Sequence, residues 1–223
     1  MKKISFILLT VMAVSSVHAQ QWKPLFDGQS LKGWHLFKKK SITPAWVVKD
    51  GAIFLDVNGP KDGRGDLVTD EAFGDFEFKF EWKIGAASNS GVIFFVQENE
   101  KAGATWHSGP EFQLIDNTGY PDKLNPGQMS ASLYDMIPCP TAYIKPTGEW
   151  NETVISFKKG KLEFIVNGKT PVSIEVGGAE WNKLIAASKF KDMSAFAKIT
   201  RGHIALQDHG GAVWYRNLMI RTF

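Results

Sequence analysis

FEFKFEWKIG, residues Phe76 to Gly85, alternates without a break. Phe76, Phe78, Phe80 and Trp82 fall on one side of an extended chain, and Glu77, Lys79, Glu81 and Lys83 on the other, because successive strand side chains point to opposite faces. One dry face and one charged face describe a strand of an antiparallel sheet whose dry side must be covered by another layer.

The same reading extends outward. TVISFKKGKLEFIVNGKTPVSIEV, Thr153 to Val176, holds three further strand-like runs broken at Lys159-Gly160 and Asn167-Gly168, the second a hairpin dipeptide that tolerates positive φ at both positions. Trp46 to Phe54, Gly91 to Val96, Glu111 to Ile115 and Val213 to Ile220 add more. Helical periodicity is confined to Trp181 to Phe196, where Lys189-Phe190-Lys191 fits a loop equally well. Many short strands with turn signals predict two packed antiparallel sheets, an all-β sandwich. The Gly-, Pro- and Ser-rich stretch Asn117 to Lys145 is long for a loop, and loops of that length tend to line sites.

MKKISFILLTVMAVSSVHA, residues 1–19, pairs two lysines with a short apolar run and a small-residue cleavage site. It reads as a secretory signal peptide, so the chain is expected to be exported, periplasmic or extracellular. No later run reaches the roughly 20 apolar residues of a membrane span. Removing 19 of the 223 residues leaves 204, residues 20–223, a length that suits one domain. Losing Lys2 and Lys3 leaves 24 basic residues against 23 acidic ones, a formal charge of +1. That balance gives no footprint for nucleic acid. The one cysteine, Cys139, sits between prolines and reads as an inert structural thiol.

Polar groups gather at two strand ends. In GHIALQDHG, Gly202 to Gly210, alternation puts Ile204 and Leu206 on one face and His203, Ala205, Gln207 and His209 on the other. Asp208 either caps a turn or marks the end of the strand. In GPEFQLIDN, Phe112 and Leu114 share a face opposite Glu111 and Gln113. If the polar faces belong to one sheet, Glu111, Gln113, Gln207 and His209 line a common groove. Carboxylates, amides and imidazoles in a groove suit sugar hydroxyls, and Trp34, Trp106 and Tyr134 are candidates to stack on a sugar face. His35 is expected to be exposed.

The motifs LFDGQSLKGWHLF, WVVKDGAIF, GDFEFKFEWKI, SNSGVIFFV, GPEFQLIDN, GEWNETVI, GHIALQDHG and WYRNLMI, in that order from Trp22 to Phe223, resemble the 3-keto-disaccharide hydrolase domain family. The resemblance implies a concanavalin A-like jelly-roll sandwich in an exported protein acting on carbohydrate. Glu111, Gln113 and Asp116 match the family's E-x-Q-x-x-D motif, Gln207, Asp208 and His209 its L-Q-D-H-G motif, and Asn89 its N-S-G motif. The implied chemistry is elimination. A ketone at C3 acidifies the C2 proton, a base removes it, and the enolate expels the C1 substituent, with hydration able to follow. Glu111 or His209 would be the base; Asn89, Gln113, Tyr134 and Gln207 would contact substrate, and Asp208 would join them, orient His209 or stand behind the contacting residues. A divalent metal could supply the electrophile instead, with His107 and Asp116 among its ligands, although no tight ligand spacing is present.

Two other functions fit the same sandwich. A laminarinase-type hydrolase would use Glu111 and Asp116 as paired acids, which requires a bulge to bring both onto one face about 5–5.5 Å apart. A carbohydrate-binding module would hold sugar in the groove without turnover. Oligomeric state is not readable from these residues.

Overall fold

The computed structural model describes residues 21–42 and 44–223; the expected signal peptide lies outside them. Thirteen strands and one α-helix occur among the described residues. In chain order the strands are β1 (Lys23–Pro24), β2 (Trp34–Leu36), β3 (Trp46–Lys49), β4 (Ala52–Leu55), β5 (Leu67–Thr69), β6 (Phe76–Ile84), β7 (Asn89–Val96), β8 (Glu111–Ile115), β9 (Asn151–Lys158), β10 (Lys161–Val166), β11 (Lys169–Glu175), β12 (His203–Leu206) and β13 (Val213–Thr222); helix α1 is Ala179–Ala187. They form two antiparallel sheets. The larger runs β11-β10-β9-β6-β13-β4-β3 with β1 against β13, and the smaller runs β2-β5-β12-β7-β8. This is the all-β jelly-roll sandwich expected from the strand pattern and the family resemblance.

β6 behaves as its alternation dictates. Phe76, Phe78, Phe80 and Trp82 are each no more than 1% exposed, while the charged residues between them remain partly solvated. Burying each such ring contributes about 2–3 kcal/mol, and Phe80 and Trp82 meet Phe112 of the smaller sheet edge-to-face. Outside, Glu77 and Glu81 pair with Arg221 and Arg216 across β13.

The run Trp46 to Phe54 is two strands, not one. β3 and β4 form a hairpin around Asp50 and Gly51, whose φ values of 52° and 71° suit an Asp-Gly turn. The expected turns at Lys159-Gly160 and Asn167-Gly168 have the same positive-φ geometry. After α1 the chain from residue 188 onward is irregular up to β12.

Two details of the smaller sheet position the site. At Phe95, φ 62°, the β7–β12 register slips by one residue. The bulge turns both Phe94 and Phe95 into the main core and returns Ile93 and Val96 to the outer face, where they cluster with Val68 and Ala205 under Phe37 and Trp106. From the other layer, the buried Tyr215 hydroxyl meets Ser90 Oγ at 2.9 Å, and Ser90 donates to the Gln207 carbonyl at 2.7 Å. That chain of hydrogen bonds crosses the sandwich and fixes the end of β12.

Candidate active site

Register places the polar residues. Directly opposed residues of an antiparallel pair share a face, so Glu111 beside Ile93, Gln113 beside Gly91, and Asn89 beside Ile115 all lie on the outer face of the smaller sheet. Ala205 opposes both Ile93 and Val68, which brings Gln207 and Asp66 to the same face. Of the four residues expected to share a wet face, Glu111, Gln113 and Gln207 are therefore assembled on one face of one sheet.

Glu111 is its centre. The residue is 5% exposed, its carbonyl accepts the Tyr134 N–H at 3.0 Å, and its side chain lies across Gly91. Burial pushes its carboxyl up to about 8; the Lys189 ammonium opposes that shift, the Asp66 charge adds to it, and the Gln207 amide opposes it. Once ionised, such a carboxylate is a far stronger base than an exposed one.

Asp66 comes from the turn before β5. Its carboxyl accepts from Thr105 Oγ1 and, at 2.9 Å, from the Asp208 N–H. Burial raises its pKa, while these two hydrogen bonds and the charge of His209 lower it.

Lys189 closes the other side. Its Nζ stands 4.2 Å from the ring centre of Tyr134, 5.0 Å from Trp106 and 5.1 Å from Phe190. Its backbone N–H donates to Asp135 Oδ2 at 2.7 Å, which ties this turn to the long loop carrying Tyr134. Burial lowers the ammonium pKa, and the Glu111 and Asp135 charges raise it.

Among the described residues, two buried side-chain polar atoms lack a hydrogen-bond partner: Asn89 Oδ1 and Gln207 Oε1. Both belong to residues on the face of Glu111. An unpaired buried acceptor costs about 1–3 kcal/mol, a cost concentrated where a ligand hydroxyl would supply the missing donor.

Other expected site residues stand differently. β12 ends at Leu206, so the alternation stops before His209, which is exposed; it is near enough to Asp66 for its charge to act there. Asp208 does not present a free carboxylate to a sugar or orient His209, because Arg64 binds both its oxygens at 2.8 Å and the Gly210 N–H donates to Oδ1. Gln113 spends Oε1 on the Leu114 N–H. Trp34 is a core residue, 4% exposed, with Nε1 donating to the Leu25 carbonyl, whereas Trp106 and Tyr134 do border the site. His35 is not free at the surface: its ring nitrogens meet Asp70 and Glu98, each at 2.7 Å. The Cys139 thiol is buried and pushed up to about 11.

Asp116 lies on the opposite face from Glu111. Five consecutive β7–β8 pairs keep register, so no bulge swings it round. Its oxygens accept from the Ala87 and Thr118 N–H groups and the Thr118 and Thr147 hydroxyls, which hold its carboxyl down to about 2. The acid pair required by a laminarinase-type mechanism is not formed. Nor do His107 and Asp116 join a metal centre: among the described residues no group of three or more His, Cys, Asp or Glu side chains has metal-holding geometry. His107 packs edge-on against Trp106 and over Gly103.

Lys189 and Asp66 were not selected from the sequence. Lys189 stands where a helical pattern and a loop fit equally well, and Asp66 follows Arg64-Gly65 as an ordinary turn acid would; the sole local hint is a lysine beside an aromatic residue.

Residues 21–221 match the family described as 3-keto-alpha-glucoside-1,2-lyase-like domains. A 3-keto-disaccharide hydrolase of Bacteroides thetaiotaomicron is 34% identical, across 92% of this chain and 80% of that protein. The crystal structure of a candidate glycosyl hydrolase from Parabacteroides distasonis superposes with a TM-score of 0.83 at 32% identity, covering 91% of this chain and 94% of that one. The laminarinase of Rhodothermus marinus, at TM-score 0.51 and 10% identity over 92% of this chain and 99% of its own, shares the fold.

Proposed function

The chain belongs to the 3-keto-alpha-glucoside-1,2-lyase-like family, and from that premise we propose that it cleaves 3-keto-glucosides or 3-keto-disaccharides by elimination across C1 and C2. The observation that carries the reading is Glu111: a buried carboxyl with raised pKa, on a sheet face that also carries two unpaired amide oxygens, with Trp106 and Tyr134 packed nearby. Such a group suits removal of a carbon-bound proton made acidic by a neighbouring ketone, a task for which an exposed carboxylate is too weak a base. Asn89 and Gln207 would accept from sugar hydroxyls, and the rings of Trp106 and Tyr134 would border the sugar. The two lysines, short apolar run and small-residue cleavage pattern of residues 1–19 support reading it as an exported enzyme.

The experiment is incubation of the purified mature chain with a 3-keto-glucoside and with the matching unoxidised glucoside, following aglycone release. Release from the keto compound alone is expected. Release from the unoxidised glucoside, or from neither, overturns the reading.

A further inference from the structure

The geometry points to Lys189 as the acid partner of Glu111: its ammonium protonates the C3 oxygen as Glu111 withdraws the C2 proton. The assignment rests on the elimination reading above.

Three observations place Lys189. Its Nζ sits over Tyr134 and Trp106, and both rings are tied to Glu111. Tyr134 donates its backbone N–H to the Glu111 carbonyl, and Trp106 packs on the outer-face cluster that includes Ile93, the cross-strand partner of Glu111. The aromatic seat favours a cation at this exposed position, and the Asp135 clasp on the Lys189 N–H holds the turn in place. A lysine with only a solubilising role has no need of three rings around its ammonium.

The pair also has the right proton inventory. Burial raises Glu111 and lowers Lys189, which brings the proton affinities of carboxylate and amine closer together than in water. In the first step the C2–H bond breaks and its proton goes to the Glu111 carboxylate. The electron pair forms C2=C3, the carbonyl π pair moves to O3, and O3 takes a proton from Lys189. In the second, O3 returns that proton to the Lys189 amine, C3=O re-forms, C1=C2 forms, and the C1–O bond breaks. The departing oxygen takes the proton from Glu111. Both side chains return to their starting states, and the products are an unsaturated ketone and the free alcohol.

The test compares wild type, Lys189→Ala and Lys189→Arg on a 3-keto-glucoside, with and without added methylammonium. We expect kcat of Lys189→Ala to fall about 10²-fold or more, the range of a general acid, with KM little changed and methylammonium restoring part of the rate. Arginine fits the aromatic seat but holds its proton too tightly to cede it, so Lys189→Arg should bind substrate and turn it over slowly. Wild-type rates in Lys189→Arg, or a loss in Lys189→Ala that no amine restores, overturn the assignment. If the alanine variant does not fold, the arginine variant decides alone. Failure of the elimination reading shows separately, as no release by wild type.

Discussion

A Cβ at Gly91 would stand 2.2 Å from Oε1 of Glu111. The glycine is thus the space in which the carboxyl lies, and its backbone carbonyl also accepts the Gln207 N–H at 2.9 Å. Its φ is not in the left-handed region, so alanine meets no backbone strain there.

Gly91→Ala should therefore fold and yet displace Glu111. We expect kcat on a 3-keto-glucoside to drop by about 10²-fold, in line with misplacing a catalytic group by an ångström. Circular dichroism and a melting curve should show the sheets intact; unaltered kcat would mean that the carboxyl does not act from this position.

Glu111→Gln should abolish turnover while raising stability in a pH-dependent way. The folded-state carboxyl sits at about 8 against an ordinary 4.5. Below the lower value both folded and unfolded chains are protonated. Between the two, only the unfolded chain releases the proton, so wild-type stability falls as pH rises, by a few kcal/mol at the order-of-magnitude level. Denaturant titrations at pH 4 and pH 8 should show that slope reduced in the variant. The rate of the wild type should rise with pH through about 8 as the base ionises; a rate that falls there would assign Glu111 the acid role.

Gln207→Met and Asn89→Leu remove acceptors that have no partner in the free protein. Stability should hold or improve, because an unpaired buried polar atom costs about 1–3 kcal/mol. KM for the keto sugar should rise about 10-fold for each, the effect of one lost hydrogen bond. Calorimetry on the free protein and steady-state kinetics separate the two effects; a variant that loses stability and leaves KM alone would make the amide a structural group.

Asp116→Ala should behave in the reverse sense. It strips partners from the Ala87 and Thr118 N–H groups and from two hydroxyls, a loss of about 1–3 kcal/mol or more. Because the folded carboxyl sits near 2, its contribution is present above the ordinary carboxylate pKa and disappears as pH falls through the folded value. Activity per folded molecule should be retained. A catalytic loss without a stability loss would revive the paired-acid hydrolase.

Local chemistry explains which parts of this were legible. Alternation in β6 and the Asn167-Gly168 turn are short-range signals, and both reappear in the fold. The Asp50-Gly51 turn carries the same signal between two short apolar runs, Trp46 to Val48 and Ala52 to Leu55. Asn89, Glu111 and Gln207 could be placed on a wet face by counting residues. His209 could not, since counting assumes a strand that in fact ends at Leu206. Asp208 likewise looked free because its partner, Arg64, is 144 residues away.

What the sequence by itself determined is the sandwich and the face on which Asn89, Glu111, Gln113 and Gln207 gather, because a period of two is a property of neighbouring residues and survives any packing. The tertiary structure alone decided which polar groups are buried and which are already paired. It buried Glu111 beside Asp66 and Lys189, tied Asp116 to backbone amides on the far face, and gave Asp208 to Arg64. Burial and partners set a carboxyl's character, and both come from segments that the local pattern does not connect.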